Sequence, residues 1–104
     1  MVVDVLNSLL ENHYNQAGPI EARLVADDVR GEYQIYLHGW QEMTYFYGVS
    51  IHVRVKEDNK VWILRDSSSV VIVEHLERAG IPTSEMVISW HPPTARRHTE
   101  FAVG

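Results

Sequence analysis

Between Thr44 and Lys56 every odd position from Tyr45 to Val55 is apolar: Tyr45, Tyr47, Val49, Ile51, Val53 and Val55. The even positions are polar, small or charged (Thr44, Gly48, Ser50, His52, Arg54, Lys56), with Phe46 the exception. Strict alternation over such a length describes a long strand with one buried face. On a helix the same residues would scatter round the cylinder. The pattern predicts a strand near the middle of a sheet, its odd face, Tyr45 and Tyr47 included, turned to the core.

The flanking segments fit that strand into an antiparallel meander. Ile20–Ala26 alternates weakly, and Asp27 to Gly31 reads as a turn. Glu32–Trp40, rich in aromatic and β-branched residues, reads as the next strand. Glu57-Asp58-Asn59 makes a polar turn after the organising strand, and Lys60–Arg65 returns as a fourth strand. Short loops of this kind are what antiparallel neighbours permit.

Helices are expected on either side of the meander. Val2, Val5, Leu6, Leu9 and Leu10 recur at helical spacing, Asp4 favours the helix dipole, and Gly18-Pro19 stops the run, so a helix is expected near 3–16. After the fourth strand, Asp66-Ser67-Ser68-Ser69 offers four capping residues. The β-branched run Val70–Val73 would suit a strand. Yet Val73, Leu76 and Ala79 share a helical face and Gly80 with Pro82 supplies a stop, which predicts a helix near 69–79. Thr83–Glu85 reads as a single turn, Met86–Trp90 as a short fifth strand ended by Pro92-Pro93, and Thr94–Gly104 as irregular. The fold class is α+β: an antiparallel four-stranded meander with an N-terminal helix, a second helix after the meander and a short fifth strand.

At 104 residues the chain supports one core, so residues 1–104 are expected to form a single domain. Cysteine is absent, which removes disulfides, thiolate metal ligands and a cysteine nucleophile. No apolar run approaches the roughly 20 residues of a membrane span. The N-terminus lacks the basic region of a signal peptide, and a cytoplasmic protein without membrane contact is expected. The formal net charge of −5 argues against a surface for nucleic-acid phosphates, and direct DNA binding is not expected.

Residues that would mark an enzyme are missing. The six histidines match no ligand spacing; only His38 and His52, on neighbouring strands, offer themselves as a pair. Serines 67–69 are explained as caps, and Asp27-Asp28 and Glu57-Asp58 as turn carboxylates. No catalytic residue, metal or cofactor is therefore expected. The candidate partner-binding residues are Phe46 and Trp62, read as an apolar patch on the outer face of the sheet, and Arg96-Arg97, which suit a carboxylate or phosphate on a partner. An apolar outer face also predicts a homo-oligomer, most simply a two-fold dimer.

Several stretches occur together in one known family: Glu32-Tyr33-Gln34-Ile35, Gly39-Trp40, Tyr47-Gly48 with Ile51-His52, Lys60-Val61-Trp62-Ile63, Ala79-Gly80-Ile81-Pro82, His91-Pro92-Pro93 and the closing Thr99-Glu100-Phe101-Ala102-Val103-Gly104. The chain resembles the XisI family, the fdxN element excision controlling factors of cyanobacteria, along nearly its whole length. It departs at Arg54, where the family has Asp, at Leu64, a usual Gln, at Ser67–Ser69, which replace the GTE of a DGTE, and at Thr94–His98, which replace YKRxY. The Glu57-Asp58-Asn59 hairpin is also one residue longer. The resemblance implies an XisI-like fold and a non-enzymatic accessory protein that works with a XisH-like partner in controlled DNA excision. The alternative is a direct DNA-binding factor using Arg96 and Arg97.

Overall fold

The computed structural model describes residues 2–14, 18–67 and 70–104. Helix α1 (Val2–His13) leads into β1 (Ile20–Asp27), β2 (Glu32–Gln41), β3 (Thr44–Val55) and β4 (Val61–Asp66), then α2 (Ile72–Arg78) and β5 (Met86–Ile88). Single 3-10 turns stand at Thr83–Glu85 and Arg96–His98. The expected elements are all present. The first helix ends earlier than expected. The second begins later, at Ile72, so Val70 and Val71 precede it and only two of the β-branched residues are in helix. Asp66 provides the start of α2 by accepting the Ile72 N–H at 3.0 Å. The capping expected of Ser68 and Ser69 lies outside the described residues.

The sheet has the order β1-β2-β3-β4-β5. The first four strands form the antiparallel meander, and β5 lies parallel to β4. The reversal follows from the connection. A hairpin returns antiparallel, whereas the chain between β4 and β5 passes through a helix and can bring the next strand back in the same direction.

Helices α1 and α2 cover one face. Leu6 and Leu9 from α1, and Ile72 and Leu76 from α2, pack with Ile35, Ile51, Val53, Ile63 and Met86, all fully buried. Burial of one such side chain contributes about 1.5–3 kcal/mol. The other face of β4 and β5 is covered by the C-terminal segment, where the Ala102 N–H reaches the Met86 carbonyl at 2.7 Å. Val87 is completely buried there. Among the described residues no helix is long and apolar enough to cross a membrane.

Candidate functional site

The long strand does not keep one face on the core. Ile35 pairs with Ile51, but the next residue, Tyr36, pairs with Val49, so Ser50 is an extra residue in β3. Such a β-bulge breaks the two-residue period. Below it, Ile51 and Val53 oppose Ile35 and Tyr33 and face the helices. Above it, Val49, Tyr47 and Tyr45 oppose Tyr36, His38 and Trp40, which belong to the outer face. The Tyr14 hydroxyl, just past the end of α1, shares a 2.7 Å hydrogen bond with the Ser50 hydroxyl and ties the bulge to the helix layer.

The expectation that Tyr45 and Tyr47 face the core is therefore wrong: they are 53% and 73% exposed. Tyr47 packs beside Tyr36, and Tyr45 beside Trp40, with ring centroids 6.3 and 5.3 Å apart. β1 pairs with β2 only as far as Gly39, and β4 pairs with β3 only as far as Ile51. Beyond those points β2 and β3 continue as a two-stranded arm in which residues 40–48 are all exposed. At the base of the arm, a side chain on Gly39 would collide with the Pro19 carbonyl, so glycine lets the chain entering β1 cross closely.

Phe46 and Trp62, expected as one outer patch, are separated by this geometry. Phe46 opposes Gly39 and lies on the helix side of the arm. Trp62 is on the outer face, but its indole is covered. The Lys56 ammonium stands 3.9 Å above the ring, the Arg96 guanidinium lies 5.3 Å from it, and Gly104 packs on its edge. Arg96 also donates to the carbonyls of His91 at 3.1 Å, Ser89 at 3.2 Å and Val103 at 3.4 Å. It holds the C-terminal segment in place. Arg97 is exposed and contacts its neighbour His98.

The outer face carries a second feature that the sequence did not single out. Glu32 accepts from Arg54 Nε at 2.6 Å and from His52 Nε2 at 2.9 Å. Cross-strand register brings the three together, since Glu32 opposes Arg54 and Gln34 opposes His52. Partial burial works to raise the Glu32 pKa, but the hydrogen bonds from His52 and Arg54 outweigh it and hold the carboxyl below its ordinary value of 4.5. A depressed carboxylate contributes stability above its unfolded pKa, and that contribution is lost as pH falls through the lower folded value. The stability gap between the protein and Glu32→Gln should therefore be full above pH 4.5 and close below it. Urea titrations across that range check it; a gap independent of pH would refute the assignment. His38 has a carboxylate of its own, Glu21 at 3.2 Å, and opposes Tyr47 rather than His52. The two histidines that offered themselves as a pair on neighbouring strands are not opposite each other. Among the described residues no group of three or more His, Cys, Asp or Glu is placed to hold a metal.

A family model described as XisI protein matches residues 1–103. The chain belongs to the XisI family. Its fold is that of solved XisI relatives from Anabaena variabilis ATCC 29413. The crystal structure of a XisI-like protein at 1.30 Å superposes with a TM-score of 0.82 at 25% identity, covering 99% of this chain and 92% of that one. The fdxN element excision controlling factor XisI at 2.19 Å gives 0.73 at 26% identity, covering 97% and 94%. No curated protein matches the chain.

Proposed function

We propose that this XisI-family chain is a non-enzymatic accessory protein in the control of DNA excision. It works inside the cell as a homo-oligomer and by contact with a XisH-like protein. The observation that carries this reading is the arm: Trp40, Tyr45 and Tyr47 are more than half exposed on the bare outer face. Aromatic side chains presented together are characteristic of protein interfaces. The net charge of −5 adds to it, because a polyanion is repelled by such a chain.

Direct DNA binding has less support from the geometry than from the sequence. Of the two arginines, Arg96 is committed to three backbone carbonyls, leaving Arg97 as the presented cation. Fluorescence anisotropy with a labelled duplex is expected to show no binding at physiological salt. Affinity that falls with a log–log salt slope of about −0.9 per phosphate contacted, and that is lost in Arg97→Ala, would replace the protein-contact reading with the DNA-binding one.

A further inference from the structure

We infer that the free edge of β3, from Thr44 to Val49, pairs antiparallel with the same segment of a second copy about a two-fold axis at Tyr47. The inference rests on the homo-oligomer reading above and names the surface that makes it.

Two long strand edges are open among the described residues, and they differ in chemistry. The β1 edge begins after Pro19 and carries Glu21, Arg23 and Asp27. Proline and charges of this kind keep an edge from recruiting another strand. The β3 edge opens where β4 stops. The Ser67 N–H bonds the Ser50 carbonyl at 2.8 Å, and among the described residues no further backbone partner follows toward Thr44. The nine residues between Glu42 and His52 contain no charge and no proline. They include Met43, Tyr45, Phe46 and Tyr47, all exposed. A long apolar edge without such guards is an aggregation hazard unless something covers it.

The segment itself indicates what covers it. An antiparallel strand edge is self-complementary, so a two-fold axis sets donors against acceptors on an identical copy. Two chains of net charge −5 repel in general, but this stretch is neutral and brings no like charges together. Centring on Tyr47 overlaps the open run short of Ser50, whose carbonyl is already held by Ser67, and sets Tyr45 against Val49 of the partner copy and the reverse. The same register lays Phe46 over Gly48 of the second copy. A Cβ on Gly48 would meet nothing within 4 Å, so the space above it is empty. An aromatic ring across from a strand glycine fills such a gap. The tip of each arm also arrives where the β4 of its partner ends, and the two sheets become one.

The absence of cysteine makes the test direct. Paired residues on adjacent antiparallel strands have Cα atoms about 4.5–5.5 Å apart, within the span of a disulfide. Tyr47→Cys, oxidised with copper phenanthroline at micromolar concentration, is expected to give a covalent dimer in high yield. Val29→Cys, at a turn residue 93% exposed, reports random collision and should give little. Light scattering should return a dimer mass for the unmodified protein. Tyr47→Lys, which sets two ammonium groups opposite each other, should raise the dissociation constant by about tenfold or more without altering the circular dichroism spectrum. A dimer mass with no preferential disulfide at position 47, or one that forms at Phe46→Cys instead, overturns this inference and leaves the homo-oligomer reading standing. A monomer mass overturns both.

Discussion

Gly31→Ala is expected to destabilise the protein by about 3 kcal/mol. Gly31 turns the chain from β1 into β2 at φ 69, a left-handed conformation that costs a side-chain-bearing residue about 1–2 kcal/mol. The second part of the loss is steric. A Cβ at this position would stand against the Val55 carbonyl oxygen, well inside van der Waals contact. The backbone on one side or the other must move, and the Val55 N–H to Gly31 carbonyl bond of 2.8 Å stretches with it. Against a total of about 5–15 kcal/mol for an ordinary domain, that is a large fraction. Gly80→Ala separates the two parts. Gly80 also has positive φ, at 105, but its Cβ would enter open space, so it should lose only about 1 kcal/mol. Urea midpoints measured side by side decide; equal losses in both variants would show that the collision with Val55 is relieved at no cost.

Arg96→Ala is expected to cost about 2 kcal/mol, and Arg97→Ala less than about 0.5. Adjacent arginines look equivalent as a sequence pair, but their surroundings differ. Arg96 reaches three carbonyls from Ser89, His91 and Val103 and covers the Trp62 indole. Removing it leaves those carbonyls short of a donor and loosens the C-terminal segment from the sheet. Arg96→Lys should recover only part of the loss, because one ammonium cannot span the fork of contacts that a guanidinium makes. Thermal melts give the order, and the fluorescence of Trp62 should shift with Arg96 alone. Similar losses for both arginines would contradict the clamp.

The difference between those neighbours shows where sequence reasoning stops. Local patterns identified every strand of the meander, both helices and the fifth strand, because periodicity and stop signals are written in adjacent residues. Burial of Ile51 and Val53 followed from the same alternation. What adjacent residues do not carry is pairing. The bulge at Ser50 exists only in relation to Tyr36 on the next strand, and Tyr47-Gly48-Val49-Ser50-Ile51 reads as uninterrupted alternation without it. The covered state of Trp62 depends on Lys56 and on a tail that arrives some forty residues later. The Glu32–His52–Arg54 cluster likewise needs the register of two strands before its members become neighbours. The local hints of irregularity were Phe46, apolar at an even position, and the small residues Gly48 and Ser50 in an otherwise bulky strand.

Ser50 acts on β3 much as an inserted nucleotide acts on a reading frame. The residues after it are read by the core, and those before it are read in the other phase, by solvent or by whatever docks on the arm. A polar substitution at position 53 is a packing error, whereas the same change at position 47 is a change of surface. One strand thus serves two sets of requirements that do not compete. The arm is free to change its chemistry, and with it its choice of companion, while the packed half of the same strand stays as it is.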